Sequence, residues 1–205
     1  MHRLLLTLLL LPVMAFSQEE KTDATAEEVG LAYDTLPKVD GQYEFTEVIQ
    51  LDSSYKKDML YRNAKLFFAN ISKSAKDVLQ YDDREEGKVI GKGTIQVTGH
   101  QSILLNAFSE TRTTTFTLEV SCKDGKYKYR MFGFSADYSY GESDKRKPER
   151  ITTGTLTVDQ AYARSEKGGT KKMERNIFMN TLTEIRLMQD HLKEFMRKKP
   201  SKDDF

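Results

Sequence analysis

Asp124-Gly125 separates two runs in which apolar and polar residues alternate, and this dipeptide constrains the fold more than any other feature of the chain. Asp-Gly is a favoured loop for a two-residue type I′ β-hairpin. With these two residues as the loop, directly opposed positions sum to 249. Cys122 then faces Tyr127, Val120 faces Tyr129, Leu118 faces Met131 and Phe116 faces Gly133, all on one face. The other face pairs Glu119 with Arg130, Ser121 with Lys128 and Thr117 with Phe132. One register sorts the apolar residues and also matches an ion pair. The like-charge pair Lys123–Lys126 is the discordant one.

The chain begins with an expected address. His2 and Arg3 precede an apolar run from Leu4 to Val13, followed by Ala15-Phe16-Ser17. That is the three-part pattern of a secretory signal, with cleavage expected after Ser17 and an apolar core too short to span a bilayer. The alternative is a retained anchor. No further stretch approaches ~18 apolar residues, so the mature chain is read as soluble and not as an integral membrane protein. Residues 18–40 are polar and acidic and read as a flexible linker or arm, with folding back as an edge strand as the alternative. A single domain is expected over 41–199 and a disordered tail over 200–205.

Arg3 leaves with the signal, so 31 basic residues (32 − 1) balance 31 acidic ones. A balanced chain has no long-range field and argues against a nucleic-acid partner. Cys122 is the single cysteine, so no intramolecular disulfide can form.

Tyr43, Phe45, Val48, Ile49 and Leu51 predict a strand whose alternation slips near Val48-Ile49, as at a bulge. Asp52-Ser53-Ser54 reads as a helix N-cap cluster. Leu60, Ala64, Phe67, Phe68 and Ile71 then share one helical face. Val78–Tyr81 and Lys88–Thr98 read as strands about a charged turn. Gly91 and Gly93 mark a bulge, a coil or a close approach. Residues 99–110 fit an edge strand or an apolar loop. Tyr138–Arg150 reads as a polar loop tipped by Lys145-Arg146-Lys147-Pro148, and Thr153–Val158 as one more short strand. After Gly168-Gly169 a long helix spans about Lys171 to Lys198, with Met173, Ile177, Thr181, Ile185, Met188, Leu192 and Phe195 as its stripe. The fold class is α+β: a curved antiparallel sheet of about five strands with two helices on one face, in the order β-α-β-β-β-β-α.

The signal and linker, Tyr43-Glu-Phe-Thr-Glu-Val, the helix with Leu60-Tyr61 and the turn Val89-Ile90-Gly91-Lys92-Gly93 together resemble the domain-of-unknown-function 4468 family. The resemblance covers roughly residues 43–138. It implies a TBP-like fold and secretion in Bacteroidota, and it implies no activity. A shared topology carries no DNA binding with it.

Catalytic constellations are not evident. His100 and His191 are isolated, and with one cysteine they make no zinc set of the usual type. Cys122 is expected as a buried thiol on the core face. Gly87-Lys-Val-Ile-Gly-Lys-Gly lacks the spacing of a phosphate-binding loop. Asp82, Asp83, Glu85 and Glu86 depart from a calcium loop and read as a solvated turn. No metal and no cofactor is expected. The aromatics Phe132, Phe134, Tyr138 and Tyr140 crowd one strand and its exit, and they are the candidate interaction patch. The alternative for these side chains is a sheet covered on both faces. The chain thus reads as an exported, non-enzymatic binding or scaffolding module of the cell envelope, with an unknown protein or glycan partner. A carrier of a lipophilic ligand, lined by Met173, Met188, Phe116 and Leu118, is the second reading. A hydrolase using carboxylates is the third.

Overall fold

Strands β5 (Asn106–Lys123) and β6 (Lys126–Asp144) form the expected hairpin and the middle of the sheet. The computed structural model describes residues 23–71, 79–144 and 147–199. Along that chain come α1 (Ala26–Asp34), β1 (Lys38–Val39), β2 (Gln42–Gln50), α2 (Lys57–Ile71), β3 (Leu79–Asp83) and β4 (Lys88–Ile103). After the central hairpin follow β7 (Lys147–Leu156), α3 (Val158–Glu166) and α4 (Lys171–Met196). The sheet is antiparallel, in the order β1-β2-β6-β5-β4-β3, and β7 also pairs with β6. The α+β class therefore stands, with two more helices and more strands than expected. The expected signal over residues 1–17 and the tail over 200–205 lie outside the described residues.

The pairs summing to 249 hold from Lys123–Lys126 to Thr117–Phe132. Phe116 does not pair with Gly133. From Thr115–Ser135 onward the pairs sum to 250, because β6 carries one extra residue. Gly133 lies there at φ 66°, the left-handed conformation that a glycine bulge uses. At the hairpin tip only Gly125 has positive φ, at 70°, so the turn is not type I′. Asp124 keeps an ordinary φ and turns its carboxylate to the backbone N–H of Lys57, 2.7 Å away. That bond caps α2 from across the fold. The expected cap cluster does not do so: Asp52 accepts from Ser54 and closes its own turn. Asp124→Ala should cost about 0.5–2 kcal/mol, the usual worth of an N-cap. Chemical denaturation checks this, and an unchanged midpoint would remove Asp124 from the cap.

Other differences have equally local reasons. No bulge occurs at Val48-Ile49; β2 pairs continuously with β6 from Glu44 to Gln50, and Val48 is simply exposed on the outer face. Residues 26–34, expected within a loose arm, are helical. Thr25 and Glu28 form a capping box, and Val29 is buried against the domain. Residues 99–110 are mostly strand, and among the described residues Gly99–Ile103 pair only with β5, as an edge. β4 and β5 continue through them and turn at Leu104-Leu105. The expected loop over 138–150 is mostly strand: β6 runs to Asp144 and β7 starts at Lys147.

The described helices lie on one face of the sheet. Leu60, Ala64, Phe67 and Phe68 of α2, with Met173, Ile177, Ile185, Leu192 and Met196 of α4, pack on Val89, Ile95, Phe116, Leu118, Val120, Tyr129 and Met131. Gly93 is the predicted close approach: a Cβ there would lie 2.2 Å from Phe116 Cζ. The other face is polar, with Thr94, Gln96 and Thr98 of β4 exposed. Among the described residues no helix packs on that face.

Candidate functional site

Past the Gly133 bulge, the helix-facing side of β5 changes character. Phe116, Leu118 and Val120 give way to Thr114, Arg112 and Glu110. Glu110 is fully buried and Arg112 is 2% exposed. Charges so placed need partners, since desolvation costs several kcal/mol per ion. Glu110 is one partner: its Oε1 accepts from Arg112 Nε at 3.0 Å and Nη2 at 2.5 Å. Helix α4 brings the second, with Glu174 Oε2 accepting from Arg112 Nη2 at 2.6 Å. Helix α3 closes the cluster: Arg164 Nη2 donates to Glu110 Oε2 at 2.5 Å. Arg164 Nη2 also stands 2.5 Å from Glu174 Oε1, a charge contact outside hydrogen-bond geometry. Two arginines and two glutamates thus neutralise one another. Burial pushes the Glu174 carboxyl above its ordinary range, against the opposing pull of Arg112.

Arg164 alone in this cluster reaches water, with 28% of its side chain exposed. Its guanidinium lies 4.6 Å over the Tyr138 ring. It forms the floor of a groove of about 570 Å³ walled by Tyr138, Tyr140, Thr152, Lys167 and Thr170. Tyr140 is backed by Phe108, ring to ring at 6.3 Å. Lys167 is exposed at the groove's rim. The arrangement presents the outer edge of the charge-balanced Arg164 guanidinium and the rim cation Lys167 beside hydroxyls and an aromatic wall, with the Arg-paired Glu174 also lining the groove. On the other side of Arg112 lies an apolar cavity of about 50 Å³, lined by Phe45, Phe134, Ala136, Phe178 and Leu182.

The bulge divides the predicted aromatic patch. Phe132 lies on the outer face beneath Arg130, 4.9 Å from ring to guanidinium, and Arg130 is held bidentately by Glu44 at 2.8 and 2.7 Å. Phe134, one bulge later, turns to the helices and meets Phe45 and Phe116. Tyr138 and Tyr140 follow on that same side and reach the groove. The four therefore form no single patch. Glu110, Arg112, Arg164 and Glu174 are the residues that the sequence reading passed over. The one legible signal was the charge of Glu110 and Arg112 inside a threonine-rich alternating run.

Cys122 is 1% exposed, and burial pushes its thiol up to about 12. His100 and His191 are exposed on different elements. In the acidic turn Asp82 takes Lys65 at 2.6 Å, while Asp83 accepts from the N–H of Glu86 at 2.9 Å. Among the described residues no three His, Cys, Asp or Glu side chains gather in a metal-holding group.

No curated protein matches the sequence. Two solved structures resemble the fold. A DUF4468 family protein from Bacteroides ovatus ATCC 8483 superposes with a TM-score of 0.50 at 12% identity, covering 82% of this chain and 93% of that one. A TBP-like protein from Parabacteroides distasonis ATCC 8503 gives 0.53 at 7% identity, covering 80% of this chain and 99% of that one. At such identities the likeness is one of fold alone. The strands and helix from Phe45 to Ala136 also match, over residues 45–136, the family model of a domain of unknown function (DUF4468) with TBP-like fold.

Proposed function

We propose that this chain is an exported, non-enzymatic binding module of the cell envelope, and that its ligand site is the groove floored by Arg164. Export rests on the sequence pattern of Met1–Ser17. Among the described residues no helix is long and apolar enough to cross a membrane. The observation that carries the binding role is Arg164 itself. Two buried carboxylates fix one of its amino groups, while the rest of the guanidinium faces a groove whose rim is Lys167. A pre-positioned cation of this kind loses little freedom on meeting an anion. The ligand class is an acidic glycan, whose carboxylate or sulfate meets Arg164 and Lys167 while its hydroxyls meet Thr152 and Tyr140.

The carrier reading finds no comparable support. A cavity of about 50 Å³ falls well short of the ~300–1,000 Å³ that a drug-sized ligand fills. Of its expected lining, Met173, Phe116 and Leu118 are packed in the core and Met188 lies partly buried against it.

Calorimetric titration with acidic oligosaccharides, against neutral ones of equal length, tests the proposal. Binding of the acidic series, weakened about five- to tenfold by Lys167→Gln, supports it. Equal response to both series, or none to either, overturns it.

A further inference from the structure

The chain makes two-residue turns of opposite chemistry. One uses Asp124-Gly125. The other joins β4 to β5 through Leu104-Leu105, between the pair Ile103–Asn106. Leu104 stands at φ 55°, and Leu105 does not share the positive φ. Positive φ at the first of two loop residues is the type II′ pattern, a place for glycine. Leucine is strained there, and it gains no burial in exchange. Leu104 is 99% exposed, Leu105 54% and Ile103 37%. Both the turn rule and the hydrophobic rule are broken at the same two residues, and such joint violations mark function.

We propose that this tip is a wedge for the surface of an anionic lipid bilayer. Two observations select that occupant. Three side chains on a narrow hairpin offer far less than the ~800 Å² per partner of a stable protein interface, whereas a bilayer accepts a narrow apolar wedge. The surrounding charge is also suited. The α3–α4 turn is tied to the stem of the hairpin, with Gln101 Nε2 donating to the Gly169 carbonyl at 3.0 Å. On either side of Gly168-Gly169 it carries exposed Lys167 and Lys171. Of the acidic residues there, Glu166 pairs with Arg175 at 3.7 Å, Glu142 lies opposite Arg150, and Asp144, across from Asn106 at the base of the turn, lies opposite Lys147. Among the described side chains the exposed charge of the α3–α4 turn is that of Lys167 and Lys171, at the level where lipid headgroups would lie once the leucines enter the acyl boundary.

The test is flotation with vesicles of phosphatidylglycerol and phosphatidylethanolamine, beside vesicles of phosphatidylcholine alone. Protein beginning at Gln18 keeps every described residue and removes the apolar Leu4–Val13 run from the assay. The native sequence should float with the anionic vesicles and release in high salt. The double substitution Leu104→Asn, Leu105→Gly should lower that partition about tenfold or more, while its melting temperature holds or rises. Lys171→Gln should weaken the preference for anionic vesicles without changing stability. No flotation of the native protein, equal flotation of the double variant, or self-association that vanishes with the leucines would each overturn the wedge. None of these outcomes depends on whether the Arg164 groove binds a glycan.

Discussion

Arg112→Leu should lower the stability of the fold by about 3–5 kcal/mol, the usual loss when one member of a buried ion network is removed. Arg112 is 2% exposed and joins Glu110 on β5 to Glu174 on α4. Without it, Arg164 is left to serve two buried carboxylates from the solvent side. The quadruple variant Glu110→Leu, Arg112→Met, Arg164→Met, Glu174→Leu removes all four charges together and should fold with little or no loss. The pH dependence has a definite sign. A carboxyl raised by burial binds its proton more readily in the folded state, so its ionisation works against folding as pH rises. The deficit of Arg112→Leu should therefore shrink on acidification, as Glu174 protonates and no longer needs a cation. Urea titrations across pH measure this; a deficit that grows in acid would mean that Glu174 is not the exposed cost. The Glu44 carboxyl, held low by its bond to Arg130, works in the opposite direction. Its contribution is lost as pH falls through the carboxylate range, and this fixes the background against which the variant is read.

Gly93→Ala is the second large effect. An added Cβ would stand 2.2 Å from Phe116 Cζ and 2.5 Å from Cε2, and Phe116 is fully buried. Overpacking of this kind costs about 1–3 kcal/mol. The glycine is a socket for the phenylalanine ring, so the two sites must couple. Phe116→Leu alone leaves a void, and Gly93→Ala placed beside it fills part of that void. A double-mutant cycle should show a favourable coupling of about 0.5–3 kcal/mol, the range for residues in contact. Strict additivity would show that the ring moves aside freely.

What the sequence disclosed depended on whether its signals were local. The long helix and α2 were readable because their apolar residues recur at helical spacing over many turns. The register between Cys122 and Thr117 was readable because a turn dipeptide and two alternating runs agreed. The same chain held signals that went unused. Asp40-Gly41, both at positive φ, makes the hairpin that creates β1. Thr25-Ala-Glu-Glu28 and Thr157-Val-Asp-Gln160 are capping boxes that start α1 and α3. The Leu104-Leu105 turn was not legible, because its residues contradict the conformation they adopt. The ion cluster was not legible either, since its four members come from β5, α3 and α4. Only tertiary packing brings Glu110 and Glu174 to the same guanidinium, and no spacing rule spans 64 residues (174 − 110).

The extra residue at Gly133 also limits how a chain like this can drift over time. Side chains on a strand alternate, so one residue gained or lost there exchanges the two faces of everything beyond it. Trimming Gly133 would send Phe134, Ala136, Tyr138 and Tyr140 out to water and pull Ser135 and Asp137 in under the helices. Between Phe132 and Phe134 the reading length of the polypeptide is fixed.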